Sequence, residues 1–292
     1  CYLQKEPSNS IRMSVKRFAD KNKLTFFDIK NHRGLLRNLL IRTSSTNDLM
    51  VLVQFFENNE KNIKLLMEHI KNSFPEITSL LYVINQKAND TIYDQDIICF
   101  NGKKHIIEEM DGLLFKIGAK SFFQTNTEQA KILYRKTKEL SQITKSDLVY
   151  DLYTGTGTIA QYVSKSAKKV IGIDSIEEGI QAANENAKQN KITNCTFYTG
   201  DMKEIITDEF IRRNGVPNVI ITDPPREGMH KKVLTQIMKI KAKRIVYISC
   251  NSATQARDLA LMNEIYKVTD IQTIDMFPQT HHIENIVILE LK

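Results

Sequence analysis

Cys250 stands directly after the apolar run Arg244–Ser249 and just before a stretch with helical patterning that begins near Ser252. A cysteine at the carboxyl end of a strand and beside a helix N-terminus can act as a nucleophile, because the helix end favours thiolate over thiol. An isolated free cysteine is more often a small buried hydrophobe. Cys99 and Cys195, inside strand-like runs, fit that description, whereas the position of Cys250 does not. A thiolate that adds to a ring carbon needs a second group to move a proton, and Glu284, at the start of the last apolar run, offers a carboxylate. Taken alone, Glu284 would pass for a surface salt-bridge partner. His281 and His282 have no accompanying Cys, His or Asp at metal-ligand spacing and read as loop residues, so no metal site is expected.

A second group of residues has the spacing of a nucleoside site. Asp151-Leu152-Tyr153-Thr154-Gly155-Thr156-Gly157-Thr158 closes one apolar run and opens a helical one. Glycines there let the backbone turn tightly and approach a ligand at a helix N-terminus. Ala160 completes a GxGxxA spacing, so the loop by itself admits a nicotinamide dinucleotide. Asp174 closes the next run, where a carboxylate can accept hydrogen bonds from ribose hydroxyls. Asp201, after Gly200 and the third run, is placed to meet an adenine edge, and Asp223-Pro224-Pro225 closes the fourth. That last loop tilts the reading toward S-adenosylmethionine. Each acid singly could merely cap the next helix, and the GxG could be only a tight turn.

With a methyl donor, the thiol acquires a reason. C5 of uracil is too weak a nucleophile to attack a sulfonium methyl. Thiolate addition at C6 produces an enolate with charge available at C5; C5 takes the methyl, a base removes the C5 proton, and the thiolate leaves. Cys250 and Glu284 are the residue types that scheme requires.

These residues need a scaffold, and the patterning supplies one. From about Ser121, apolar runs at 148–152, 170–173, 195–198, 219–222 and 244–249 alternate with helical patterns near 126–141, 157–166, 176–190, 202–213, 229–240 and 252–263. Such alternation predicts parallel βαβ units, a doubly wound Rossmann-like α/β domain over 121–292. Two final runs, 265–274 and 283–289, have no helix between them and predict an antiparallel pair. Residues 1–120 read as a smaller α+β domain, with helices at 8–20 and 59–72 and strands at 49–56, 80–84, 97–100 and 113–117, expected to pair antiparallel.

The chain of 292 residues is 41% hydrophobic and carries a net charge of +7. Residues 1–42 hold ten Lys/Arg and three Asp/Glu, while the rest balances at 31 of each. That basic segment is either a phosphate-binding surface or a solvated face, and its few aromatics (Tyr2, Phe18, Phe26, Phe27) do not decide between them. No run approaches the roughly 18 apolar residues of a membrane span. Lys5, Glu6, Arg12, Lys16 and Arg17 interrupt any secretory h-region. Cysteines at 1, 99, 195 and 250, with no CxxC, argue against a disulfide framework or zinc knuckle. A reduced, cytoplasmic protein with no membrane partner is expected, a monomer by default. The start at Cys1 and not Met reads as a piece of a longer chain.

Five motifs together resemble the RNA uracil-5-methyltransferase family. They are Phe122-Phe123-Gln124-Thr125-Asn126, Asp151-Leu152-Tyr153 with Gly155-Thr156-Gly157, Asp223-Pro224-Pro225-Arg226-Glu227-Gly228, Ser249-Cys250-Asn251 and Asp275-Met276-Phe277-Pro278-Gln279-Thr280, in that family's order. The resemblance implies Cys250 as nucleophile and Glu284 as proton-abstracting base. It implies S-adenosylmethionine contacts from Gln124, Tyr153, Asp174 and Asp223, with Gly155 in the loop and contributions near Thr158 and Asp201. Asp223 would also face the uracil and Arg226 the RNA. Thr154 stands where the family usually has cysteine, and Ser252 where proline commonly follows Ser-Cys-Asn; neither change removes a group the chemistry needs.

Cys1-Tyr2-Leu3-Gln4 with Glu6-Pro7-Ser8-Asn9 is similar to the branch acting on 23S ribosomal RNA. There, a cysteine at this place is the last of four iron–sulfur ligands, the other three and an RNA-binding TRAM domain lying upstream. One cysteine cannot hold such a cluster, so none is expected in this chain, and RNA affinity is expected to be weakened. Transfer RNA is the alternative substrate. Among rivals, amino-methyltransferases usually place an aromatic where Arg226 stands and have no use for Cys250. Cytosine-5 methyltransferases share the thiolate but not the motif order. A non-catalytic RNA-binding or folding factor would have no need of Cys250, Glu284 and Asp223.

Overall fold

The computed structural model describes residues 3–278 and 280–292. Cys1, with the iron–sulfur expectation attached to it, and Gln279 lie outside the described residues. The chain divides into two compact units, Cys1–Glu109 with Phe115–Ser121, and Met110–Leu114 with Phe122–Lys292. No described helix is long and apolar enough to cross a membrane.

The first unit lays helices α1 (Ser8–Lys21) and α2 (Glu60–Ser73) on a four-stranded sheet of β1 (Leu36–Thr43), β2 (Leu49–Phe55), β3 (Ser79–Ile84) and β4 (Ile98–Gly102), in that order. Ile11, Val15 and Ala19 of α1 and Ile63, Leu66, Met67 and Ile70 of α2 recur at helical spacing and pack in one cluster with Val51, Val53 and Phe55. Asn59 starts α2 by accepting the Asn62 N–H at 3.1 Å. The sheet is mixed and not antiparallel throughout: β2 and β3 run parallel. Helix α2 fills the crossover between them, and a crossover of that length returns the chain in the same direction. A hairpin of β5 (His105–Met110) and β6 (Leu113–Gly118) follows. It turns at Asp111-Gly112, both with positive φ (49° and 82°), as a two-residue I′-type turn requires.

The second unit runs α3 (Thr127–Ser141), β7 (Leu148–Leu152), α4 (Thr158–Ser164), β8 (Lys169–Asp174), α5 (Glu177–Gln189), β9 (Cys195–Thr199), α6 (Met202–Ile205), α7 (Asp208–Asn214), β10 (Val219–Thr222), α8 (Lys231–Ile240), β11 (Arg244–Ser249), α9 (Ser252–Met262), β12 (Tyr266–Ile274) and β13 (Glu284–Leu291). Its seven strands take the order β12-β13-β11-β10-β7-β8-β9. The five strands from β9 to β11 are parallel; β13 runs antiparallel to both β11 and β12. The strand order reverses between β7 and β10, a switch point of the kind that opens a crevice at the carboxyl edge of such sheets. Where one helix was expected over 202–213 there are two. Thr207 caps a new helix by accepting the Phe210 N–H at 3.1 Å, and Asp208 and Glu209 fill its first turn.

Helix α9 docks through a polar face. Asn251, Thr254, Gln255 and Asp258 fall at i, i+3, i+4 and i+7. Gln255 Nε2 donates to the carbonyls of Tyr247 (2.9 Å) and Asn285 (3.2 Å), and the Asn285 amide donates back to Gln255 Oε1 at 2.6 Å. Asp258, fully buried, accepts from Tyr247 OH, the Met229 N–H and Arg257 Nη2, each at 2.7 Å. One carboxylate thereby joins β11, α9 and the loop after β10. Asp258→Ala leaves these donors without an acceptor in a dry interior. It is expected to cost about 3 kcal/mol or more, read as a lower urea midpoint with an unchanged m-value.

Candidate active site

Asp151 organises the loop after β7. It is buried, and its Oδ2 accepts from Thr154 Oγ1 (2.5 Å) and the Ala160 N–H (3.0 Å), fixing the start of α4, while Oδ1 has no protein partner. Burial pushes its carboxyl up to about 7. The two loop glycines do different work, although both have positive φ (55° at Gly155, 74° at Gly157). A Cβ on Gly157 would come within 2.9 Å of the Phe197 ring and Ala183, so this glycine lets α4 pack closely. A Cβ on Gly155 would meet nothing within 4 Å. Next to that open side, Asp174 accepts the Gly155 N–H on Oδ2 and the Ile176 N–H on Oδ1, both at 2.9 Å. Each oxygen is held in place and keeps a lone pair, which suits a ribose diol.

The remaining residues singled out for this pocket are more scattered. Tyr153 is half-buried with φ 63°, Thr158 is buried as the first residue of α4, and Gln124 is buried in the segment before α3. Asp201 is exposed and caps α6, accepting the Lys203 N–H (2.9 Å) and pairing with Lys203 Nζ (3.1 Å). Gly155→Ala and Gly157→Ala should both lose about 1–2 kcal/mol through the left-handed backbone. Gly157→Ala should lose about 1–3 kcal/mol more through overpacking, a ranking that chemical denaturation of the two variants checks.

The nucleophile and base candidates meet through strand register. Ser249 pairs with Asn285 at the end of the β11–β13 ladder, so one further step sets Cys250 beside Glu284, with Ile274 of β12 on the other side. Glu284 is 6% exposed; burial lifts its carboxyl to about 7 against the opposing pull of Arg226. Asp223, just beyond β10, is raised well above the carboxylate range by burial, then by the charges of Glu284 and Asp151. Tyr134 of α3, buried, shares the field of all three carboxylates, which with burial drives its phenol above the ordinary tyrosine range. Sequence reading passed over Tyr134 because only tertiary packing brings it here. Asn126, the cap of α3, also reaches across: its Nδ2 donates to the Met276 carbonyl at 2.9 Å and ties down the segment that leads to Glu284.

For Cys250 the structure corrects the expected helix-end effect. Burial, then the charges of Glu284 and Asp223, raise the half-buried thiol above its ordinary value; a side-chain hydrogen bond from Arg226 works in the other direction. The N-cap is Asn251, whose Oδ1 accepts the Ala253 and Thr254 N–H groups at 3.1 and 3.4 Å. The donors that would have steadied a thiolate are taken. Arg226, expected to face RNA, is exposed, its charge favours the Cys250 thiolate, and its carbonyl is gripped by Asn251 Nδ2 and Thr254 Oγ1, both at 3.0 Å. Asp258 and Gln255, which hold this corner together, left a readable trace in the polar stripe along α9.

The rings of His281 and His282 lie with centroids 4.1 Å apart, tilted by 40°, and no group of three or more His, Cys, Asp or Glu among the described residues is arranged to hold a metal ion. Glu284→Gln should speed iodoacetamide labelling of Cys250 at pH 7.5 by about 3- to 10-fold, because removing a negative charge lowers the thiol pKa. Arg226→Ala should slow it. Mass spectrometry of the Cys250 peptide reads both.

A Rossmann-like sheet with acids at its strand ends and a Gly-loop crevice is the architecture of S-adenosylmethionine-dependent methyltransferases. Residues 43–292 match the family model described as tRNA (uracil-5-)-methyltransferase, and the chain belongs to that family. It is 54% identical over 295 residues to an uncharacterized RNA methyltransferase of Bacteroides thetaiotaomicron, covering 100% of this chain and 65% of that protein. It is 50% identical over 293 residues to one of Porphyromonas gingivalis, covering 99% and 63%. The chain thus spans slightly less than two thirds of the length of these relatives. Among solved structures, it is similar to Pyrococcus abyssi tRNA (uracil-54, C5)-methyltransferase in complex with S-adenosyl-L-homocysteine: 31% identity, TM-score 0.79, 95% of this chain and 65% of that one.

Proposed function

We propose that this chain transfers a methyl group from S-adenosylmethionine to C5 of a uridine in structured RNA, through a covalent bond between Cys250 Sγ and C6 of the base. The observation that carries this reading is the β11–β13 register, which sets a thiol beside a carboxyl with a base-range pKa at the carboxyl edge of the sheet. Gln124, Tyr153, Gly155, Asp174, Asp201 and Asp223 are the residues assigned to the cofactor, and the open side of Gly155 beside the oriented Asp174 supports that assignment. When bound, the cofactor supplies an electrophilic methyl group. Asp201 would use only the lone pairs that Lys203 leaves free.

The chain's own residues then divide the work. Arg226 favours the Cys250 thiolate at the moment of addition to C6. Asp223, its carboxyl pushed toward the protonated form by burial and by the charges of Glu284 and Asp151, is suited to donate a hydrogen bond to the uracil ring. Glu284, with a pKa of about 7, is ionised enough near neutrality to accept the C5 proton and weak enough to release it afterwards. The target base must leave its stack to reach Cys250. The first unit, with the basic residues 1–42, serves as the RNA-contacting domain, through contacts with phosphates. The half-buried free thiol suits a reducing compartment, the cytoplasm, and the chain acts as a monomer.

The preferred RNA is 23S rRNA, on the strength of the sequence resemblance carried by Cys1-Tyr2-Leu3-Gln4 with Glu6-Pro7-Ser8-Asn9. A tRNA substrate is the second reading, supported by the description of the matching family and by the substrate named for the Pyrococcus neighbour. The test is covalent trapping with S-adenosylmethionine and RNA carrying 5-fluorouridine, run separately on 23S rRNA fragments and on tRNA. Fluorine cannot leave as a proton, so a methylated adduct on Cys250 should survive a denaturing gel and vanish in Cys250→Ala. The RNA that traps identifies the substrate. No adduct with either RNA, even with the upstream region restored, overturns the reading.

Two further outcomes follow from Glu284. With ordinary uridine, Glu284→Gln should form the methylated adduct but resolve it about 10²-fold or more slowly, visible as a protein–RNA species that accumulates. In the wild type, turnover should fall as pH drops through about 7, where Glu284 takes up a proton, and should rise again on returning to pH 8.

A further inference from the structure

The first unit contains a pocket that the proposed methyl transfer does not use. On β1 and β2 the residues Asn38, Arg42 and Gln54 lie on the face opposite Val51, Val53 and Phe55, since side chains alternate along a strand. The segment around Tyr93 and the residue Lys120 complete the walls of a cavity of about 200 Å³. That is smaller than the roughly 300–1,000 Å³ of a typical small-molecule site, and fits one planar base or one phosphate group with part of its sugar.

Its chemistry is that of a nucleotide. Arg42 is mostly buried, yet its partners are neutral carbonyls: Nη1 donates to Ser121 (2.8 Å) and Gly118 (3.3 Å), and Nη2 to Ala119 (3.5 Å). Burial without a counter-charge lowers its pKa, the signature of a cation lacking an anion. Among the described residues neither Arg42 nor Lys120 forms an ion pair. Tyr93 is 58% exposed, a ring with an uncovered surface. Asp90 adds an exposed carboxylate at the rim, its carbonyl being held by Gln54 Nε2 at 3.3 Å. A bare inorganic anion would be repelled there. A nucleotide would not, because its base offers amino or imino donors to Asp90 while its phosphate meets the two cations.

We propose that this pocket grips one unpaired nucleotide of the RNA strand, distinct from the methylated uridine, with its phosphate in the cavity on Arg42 and Lys120 and its base outside at the rim, stacked on the exposed Tyr93 with its edge toward Asp90. The inference rests on the RNA-directed function above and adds a second point at which the strand is gripped.

The test is RNA binding and photo-cross-linking by the whole chain, with RNA fragments carrying scattered 4-thiouridine. Wild type is compared with Tyr93→Ala, Lys120→Ala and Arg42→Lys, the last chosen because Arg42→Ala would strand the 118–121 carbonyls. A cross-link on the Tyr93 peptide is expected. Tyr93→Ala should weaken RNA binding about 5- to 100-fold through lost stacking. Lys120→Ala should reduce the slope of log affinity against log salt by about 0.7.

The 5-fluorouridine adduct on Cys250 is scored in parallel. If wild type forms the adduct while Tyr93→Ala and Lys120→Ala bind within twofold of it and no cross-link falls on Tyr93, this inference fails and methyl transfer stands. If the cross-link and the losses appear without any adduct, even with the upstream region restored, the pocket stands and the methyl-transfer reading fails. If free uridine or adenosine monophosphate occupies the pocket and blocks the cross-link without weakening RNA binding, the ligand is a small nucleotide and the inference is overturned. A wild-type chain that binds no RNA sinks both.

Discussion

The direction of one strand governs the chemistry of the second unit. Had β13 run parallel to β11, its first residue would lie at the amino edge of the sheet, about 20 Å from Cys250 for a six-residue ladder. Running antiparallel, it begins where β11 ends, and Glu284 arrives beside Cys250. The acids Asp151, Asp174 and Asp223 reach the same edge by the ordinary logic of parallel strands. The carboxyl edge therefore collects two kinds of residue, those from strand ends and one from a strand start, and only the reversal lets both sit on one edge. Asn126, by holding Met276, and Gln255, by holding Asn285, keep the reversed strand in its place.

That arrangement opposes folding locally. Burial pushes three carboxyl groups, Asp151, Asp223 and Glu284, toward the protonated form, and the charges of Glu284 and Asp151 push Asp223 further. Among the described residues no basic side chain is buried with them, and the exposed Arg226 is a cation that enters their field. The tension is offset by hydrogen bonds at some remove, foremost the Asp258 carboxylate with its donors from three elements. Strain at a site that is compensated by the frame around it is a common pattern in proteins whose sites must hold unfavourable charge.

Much of the second unit could be read from residue order, because strand–helix alternation and strand-end acids are local signals. The runs at 148–152, 219–222 and 244–249 coincide with β7, β10 and β11, and the final pair is antiparallel. The first unit was harder. Strand β1 carries Arg37, Asn38 and Arg42 among its leucines, which blurs its period, and the parallel course of β2 and β3 depends on where α2 crosses, which no run of residues reveals. The hairpin strand β5 was missed although Asp111-Gly112 marked its turn. Nor could the state of Cys250 be read: its nearness to a helix start was visible, but the competition from Asn251 and the field of Asp223 and Glu284 exist only once the sheet is assembled.

The raised thiol pKa at Cys250 has a consequence beyond the reaction itself. Peroxide attacks thiolates far faster than thiols, and the first product, a sulfenic acid, leads on to irreversible oxides. A half-buried cysteine surrounded by carboxyls stays protonated at rest and offers oxidants little to attack. The burial and the acids that raise the Cys250 thiol thus also shield it from oxidation.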